Sequence, residues 1–541
     1  VASKSASSSS SSSNVTMPDD ARLLNNWSEP ISTRKAFCDL ARLTIPIVSG
    51  AFLNVGADRV SLSFVGHWDY KDITHYDGAS IGKMYSNITG LSLGVAATIG
   101  LATFASQAYG CGLSRELNPI YFRRCLLLLL GCYAFAFTSA VIAHPLLVML
   151  GQPPAVAKTS ALYAQVQLIG VPFFWLTSSV TMLLNATKRT KPGLLMSIVS
   201  SIAQLLFCGL LTDPKIGGMG YLGVALGRSL AGIVGLLFLL FYVRWAKLED
   251  FVWKKVPDAE HVCKPGAFRH YLAVSLPSAL IVWSEWWAFE VLAVFAGLTP
   301  NADQNLAAHG TMFNLVAITY MCWTSTCSAL CTLVGNKLGE EKNQDIPPLL
   351  RAAFFWSFST SMTVSIGYEL LKGQLAHAYT EDEAVQKILR NSSIGLVLSV
   401  PLYAQLMTFF GALRGANRQS PGIWGNVVGY WIVGLPLGGV MGCIWHWPTP
   451  LVGIWLGNVI ALLIAATWVL IAVFVRTDWA SIRKVQGIGP ATLPEVRERA
   501  SSAELRRGNG NGSFVGSLAA MEQHLDETSS SQPCGLEQKS D

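Results

Sequence analysis

Glu285 and Glu290 stand in the run Ile281-Val-Trp-Ser-Glu-Trp-Trp-Ala-Phe-Glu-Val-Leu-Ala-Val-Phe295, which is otherwise apolar and aromatic. A carboxyl in such surroundings loses its hydration, and desolvation works against the charged form. It can then take a proton near neutral pH, or hold a cation in the proton's place. Trp283, Trp286, Trp287 and Phe289 supply aromatic faces for the apolar and cationic parts of a ligand. The spacing i, i+5 sets the two acids about 140° apart on a regular helix. Both reach one cavity only if it is wide or the helix distorts, and Pro277 offers a cause for distortion. Glu290 reads as the deeper of the two. The competing role for either acid is a structural hydrogen bond between helices.

Other ionisable residues within apolar runs are few: Asp58, Arg59, Arg228, His309 and Glu369. Such groups are costly in a membrane and therefore count as functional candidates. Asp58 reads as a cavity residue or as the neutralising partner of Arg59 or Arg228. His309 stands alone and reads as a packed or cavity-lining histidine. Tyr320 reads as a polar residue of the candidate cavity beside Trp286 and Trp287. The outer segment His67–Asp77 holds histidines and aspartates, but a solvated loop explains it better than a metal site. Gly218-Met-Gly-Tyr-Leu-Gly223 fits GxGxxG, yet no strand precedes it, so turn glycines account for it. The 11 cysteines form no CxxC pair and no metal spacing, so neither a metal nor a cofactor is expected.

The elements that must hold these residues follow from charge. Only 13% of the 541 residues are charged and 51% are hydrophobic, against about 25% charged in soluble domains. The deficit is concentrated in residues 36–475, where about 11% are charged. A soluble enzyme of three or four domains is excluded, and a net charge of +6 scattered over short loops makes no nucleic-acid surface. Spans of about 20 apolar residues can be placed near 37–62, 80–105, 121–146, 157–182, 194–212, 221–244, 269–297, 306–333, 350–371, 386–411, 422–444 and 451–475. With both tails cytoplasmic, inner loops carry 17 Lys and Arg and outer loops, Lys83 included, carry 7. That bias predicts tails inside. The Ser-rich segment 1–35 lacks an apolar core of its own and reads as a disordered tail. Residues 476–541 read as a flexible cytoplasmic tail.

The chain repeats itself. Gly110, Pro172 and Pro192 are matched by Gly339, Pro401 and Pro421, each 229 residues on, and Pro46 by Pro277, 231 on. Gly-Val-Ala-Leu-Gly227 is matched by Gly-Ile-Trp-Leu-Gly457, 230 on. The pattern predicts two parallel six-helix halves, an N-lobe over 36–245 and a C-lobe over 267–475, joined by a basic cytoplasmic loop over 246–266. Such duplication is a transporter architecture with a path between or within the halves.

At this point the motifs resemble a known family. Ser106-Gln-Ala-Tyr-Gly110, Glu285-Trp-Trp-Ala-Phe-Glu290, Val334-Gly-Asn-Lys-Leu-Gly339, Leu413-Arg-Gly-Ala-Asn-Arg-Gln419 and Gly429-Tyr-Trp-Ile-Val-Gly-Leu-Pro-Leu437 occur in order over 37–475. Together they resemble the multidrug and toxic compound extrusion transporters, eukaryotic branch. The resemblance implies an all-α integral membrane fold of twelve helices in two pseudo-symmetric lobes. It implies a secondary antiporter that exports organic cations, xenobiotics or amphipathic metabolites against H⁺ or Na⁺ by alternating access, with acids at Glu285 and Glu290 functional. Some relatives carry further acids where Asn314 and Tyr403 stand here, leaving these two as polar cavity residues, and bacterial relatives have an Asp five residues before a Gly where Asp58 stands eight before Gly66. Export of citrate-like anions or flavonoid conjugates is the alternative, and a lipid-linked sugar flippase or membrane-embedded transferase is a further one. The expected partners are a small-molecule substrate, the counter-ion and the lipid bilayer. The expected site is a plasma or vacuolar membrane, and the expected unit a monomer.

Overall fold

The computed structural model describes residues 30–68, 73–253, 262 and 265–482. Among these, twelve long helical elements follow one another: α1 Thr33–Trp68, α2 Thr74–Gly110, α3 Ser114–Val141, α4 Pro154–Leu168 with Val171–Ala186, α5 Lys191–Thr212, α6 Tyr221–Trp245, α7 Pro265–Gly297, α8 Ala302–Gly339, α9 Ile346–Tyr379, α10 Glu383–Gly415, α11 Ser420–Ile444 and α12 Pro450–Arg476. By length and composition ten of them can cross a membrane singly, and α4, bent by 48° at Ile169–Gly170, makes an eleventh. The twelfth, α9, has 34 residues but carries Ser357, Ser359, Thr360, Ser361 and Thr363. These hydroxyls donate back to carbonyls three or four residues earlier. A helix can thereby hide polar side chains that its hydropathy counts as water-seeking. Leu130, Phe241, Leu370 and Val475 are each more than two-thirds exposed, an apolar surface that suits lipid rather than water.

Among the described residues, two of the cores inside this shell hold or adjoin the candidate residues. α1, α2 and α4 to α6 enclose Val65, Ala79, Tyr163, Cys208 and Val224. The second core joins α7 to α12 around Trp323, Phe409, Phe410, Tyr430 and Trp455, and it also takes in Ala36, Leu40 and Leu43 from the first turns of α1. The latter half of α2, Ser92–Gly110, packs on α7 and α8, whereas its earlier half, Ile73–Ser86, packs on the first half of α4. The halves of the molecule therefore meet at one end. That end also holds both described termini: Ile31 N–H donates to Asp345 Oδ1 at 3.0 Å, and Asn343 Nδ2 donates to the carbonyls of Ala480 and Ile482 at 3.1 and 2.9 Å. We call it the tail side.

Several expectations shift. The segment read as an outer loop, 67–78, is helix from Ile73 onward, and its residues 69–72 lie outside the described residues. Lys83, counted among outer-loop cations, sits inside α2. Residues 477–482, read as the start of a flexible tail, fold back on the connection between α8 and α9, while 483–541 and 1–29 lie outside the described residues. The GxGxxG match is the turn between α5 and α6. Gly217 and Gly220 have positive φ, and a Cβ on Gly223 would stand 2.0 Å from the Leu211 oxygen. In the connection read as the basic loop, the short helix Glu249–Val252 sets the Phe251 ring under Arg115 and Arg189, at 5.4 and 5.8 Å.

Candidate functional site

α7 runs unbroken through Pro277, so the angular separation of the two acids is kept rather than relieved. Glu285 is 1% exposed and turns into the second core. Glu290 lies on the opposite, exposed face with Trp286, Trp287 and Val294. The expectation that Glu290 is the deeper acid is corrected by this placement. The periodicity requires the two to face apart; packing against α8, α10 and α11 decides which is enclosed.

Around Glu285 the partners are phenols. Tyr403 Oη, from α10, donates to Glu285 Oε1. The Tyr320 ring of α8 stacks on Tyr403 at 5.7 Å, and Phe289 meets Tyr403 edge-on at 6.3 Å. Phe289 also lies 5.3 Å from Phe313 and 6.5 Å from Tyr430. Tyr430 is 1% exposed and its hydroxyl has no hydrogen-bond partner among the described residues. It comes from the π-helical stretch Val427–Gly434 of α11, a wide turn of the kind found at functional positions. Small residues let α11 close on α12: a Cβ on Gly434 would stand 2.3 Å from that of Ala461. α11 is tied to α7 beside the acid, by Asn426 Nδ2 to the Ile281 oxygen and Trp431 Nε1 to the Ser284 oxygen. Among the described residues Glu285 joins no ion pair. The space bounded by Phe289, Thr319, Trp323, Ser399, Tyr403 and Asn458 is too small for a water molecule. Glu285 is a buried carboxyl held by one phenol, with three more aromatic side chains around it and the Arg414 guanidinium within electrostatic reach.

The sequence-derived candidates divide accordingly. Glu285, Tyr320 and Tyr403 are brought together. Trp286 and Trp287 are 40% and 61% exposed on the Glu290 face. Asn314 is half-buried on α8 and makes no hydrogen bond to the cluster. Phe289, four residues after Glu285, shares its helix face; Tyr430 lies within a motif already noted, but nothing in its spacing marks it as a neighbour of the acid.

Asp58 belongs to a different centre, between α1, α2, α5 and α6. Arg228 Nη2 stands 3.1 Å and Lys83 Nζ 3.4 Å from Asp58 Oδ2, and Gln204 Nε2 donates to Asp58 Oδ1 at 2.9 Å and to Ser61 Oγ at 3.2 Å. Arg228 is the partner expected for Asp58; Arg59 is exposed and forms no ion pair with it. Lys83 is the residue that sequence reasoning missed, because, near the start of its predicted span, it was counted with the outer loop, whereas the helix begins at Ile73. Asp58 therefore faces two cations.

A helical membrane bundle whose two halves repeat each other, with a buried carboxyl walled into one half, defines a two-lobed transporter. The family can be given as well. The MatE family model matches residues 46–210 and again 277–440, more than half of the chain, and the chain belongs to this family of multidrug and toxin extrusion transporters. It is 26% identical over 457 residues to multidrug and toxin extrusion protein 2 of Oryctolagus cuniculus, covering 82% of this chain and 72% of that protein. It is 25% identical over 439 residues to Protein DETOXIFICATION 16 of Arabidopsis thaliana, covering 81% and 87%. The fold is similar to the crystal structure of the eukaryotic MATE transporter AtDTX14, with TM-score 0.74, 18% identity and coverage of 86% of this chain and 99% of that one. A TM-score of 0.73 and 17% identity relate it to a MOP-superfamily transporter from Pyrococcus furiosus described by the reverse polarity of its binding pocket, over 83% and 97% of the two chains.

Proposed function

We propose that the chain exports organic cations or amphipathic compounds in exchange for protons, and that Glu285 is the group where proton and cationic substrate exclude each other. The observation that carries the reading is the buried Glu285 carboxyl, hydrogen-bonded by Tyr403 and in no ion pair among the described residues, with the Arg414 guanidinium the positive charge within electrostatic reach. An ionised carboxyl there has no ion-pair partner of its own, so a substrate cation can take that place. The substrate's charge is that partner, and its apolar body has Phe289, Tyr320 and Tyr430 to lie on. Glu290, Trp286 and Trp287 on the open face of α7 make the first contact. Both tails are cytoplasmic in this reading, so the joined tail side is the inner side and the lobes part toward the outside. Moving Lys83 from loop to core strengthens the inner-loop excess of cations.

The test is a transport screen in proteoliposomes with imposed H⁺ or Na⁺ gradients. Uptake of a labelled organic cation should need the pH gradient and ignore the Na⁺ gradient; a strict Na⁺ requirement overturns proton coupling. The centre of two cations on Asp58 gives some support to a second reading, transport of small carboxylate anions. Counterflow of labelled citrate tests it, and its absence removes it.

A further inference from the structure

The lobes meet through an exchange of side-chain amides that obeys the 229-residue repeat. Gln107, near the end of α2, donates from Nε2 to the Gly415 oxygen at 2.8 Å, across the lobe boundary. Its counterpart Asn336, near the end of α8, has carbonyls around its amide, so the amide is assigned with its nitrogen toward them; Nδ2 then donates to the Ala186 oxygen at 3.2 Å, across the boundary in the other direction, and to the Ser106 oxygen at 2.7 Å. Gln107 and Asn336 are 229 residues apart, and so are Ala186 and Gly415. Ala186 is the last residue of α4 and Gly415 the last of α10. The carbonyls at a helix end lack partners within the helix, so each lobe satisfies a free carbonyl of the other. Thr103 Oγ1 adds a bond to the Arg414 oxygen at 3.1 Å.

The same repeat permits the approach. A Cβ on Gly110 would stand 2.2 Å from the Asn336 oxygen and 2.8 Å from Gly339 Cα. A Cβ on Gly339 would stand 2.3 Å from the Gln107 oxygen and 2.8 Å from Gly110 Cα. Both amides are closed off from solvent, Gln107 at 3% and Asn336 at 0% exposure.

We propose that Gln107 and Asn336 form a pseudo-twofold latch that holds the tail side of the two lobes shut, and that their bonds across the boundary break each time the transporter opens on that side. The latch touches neither Glu285 nor the open face of α7. Gln107 and Asn336 are positioning residues for the conformational step, set at the crossing point of α2 and α8, where a small separation uncouples both bonds together. The inference rests on alternating access but not on Glu285 as the coupling group.

The experiment uses the full chain in lipid nanodiscs, without other cysteines, with spin labels on Arg189→Cys and Arg418→Cys. These exposed positions follow the two latched helix ends and are themselves 229 apart. Electron–electron distance distributions are recorded without substrate or gradient, for the parent and for Gln107→Met and Asn336→Leu, which keep bulk and remove the donor. The parent should show one dominant short distance. Each variant should shift the ratio of long to short distance about fivefold, the effect of one net hydrogen bond, and the double variant more. Gly339→Ala should open the tail side as well; if it does not fold, the amide variants stand as the test. Unchanged distributions in both folded amide variants overturn the latch. Because the readout needs no transport, loss of proton coupling through Glu285 and loss of the latch are separate results.

Discussion

The two lobes share one topology and place one carboxylate each in an apolar interior, but they treat it in opposite ways. In the N-lobe Asp58 is saturated: Arg228, Lys83 and Gln204 surround it. In the C-lobe Glu285 has a phenol, aromatic faces and the more distant charge of Arg414, but no ion pair among the described residues. A buried charge that already has its counter-charges in contact has little reason to bind another ion, and removing it leaves unpaired cations. A buried acid without an ion-pair partner can stay neutral until a cation arrives. The lesson is that an acid's position in a span nominates it, and its neighbours decide whether it is structural or exchanging.

The predictions probe that division. The largest effect is expected in the N-lobe: Asp58→Asn strands Lys83 and Arg228, and should destabilise the protein by about 3 kcal/mol, seen as a fall in folded yield and melting temperature in detergent. If Asp58→Asn folds normally and loses only proton-driven uptake, the division of labour is reversed. Next, Tyr403→Phe should slow uptake about tenfold by removing the one bond to Glu285, with little change in melting temperature. A smaller effect is expected for Glu290→Gln: a few-fold rise in KM with kcat retained, since an exposed acid attracts substrate without exchanging protons. Kinetics that show kcat falling instead would return Glu290 to the coupling role.

The smallest effect lies outside both centres. Asp345, between α8 and α9, is pushed up by burial, but the Lys337 ammonium at 2.8 Å and the Ile31 N–H outweigh this and hold its carboxyl below the ordinary carboxylate value of 3.8. A depressed carboxyl contributes its stability above that value and loses it as pH falls through the lower, folded one. Asp345→Asn should therefore lower stability by about 1 kcal/mol, equally at pH 5 and pH 8. The gap to the parent should close below pH 4 in thermal melts.

How much of this was legible in the sequence depends on which physical signal each part sends. Spans and repeat were readable, because exclusion of charge and recurrence of Gly and Pro are imposed by lipid and by helix crossings. Gly110 and Gly339 stood out for that reason, and they mark where the lobes touch. α9 was readable as a span although its hydroxyls lower its hydropathy. The depth of Glu285 against Glu290 was not readable: periodicity says that they face apart, and only neighbouring helices say which face is covered. Lys83 was misplaced because its helix begins among the charged and polar residues Thr74–Asp77, which look like loop. Tyr430 could not be assigned to the site because a π-helical turn rotates it relative to an α-helical count.

The central claim, that Glu285 exchanges a proton for the substrate's charge, is tested most directly by pH-gradient-driven uptake of a labelled organic cation into proteoliposomes holding the parent protein or Glu285→Gln. The account predicts that Glu285→Gln folds and melts like the parent, because a neutral amide suits the same buried site, while gradient-driven uptake falls to the level of empty vesicles. Gradient-driven uptake that persists undiminished in Glu285→Gln would contradict it.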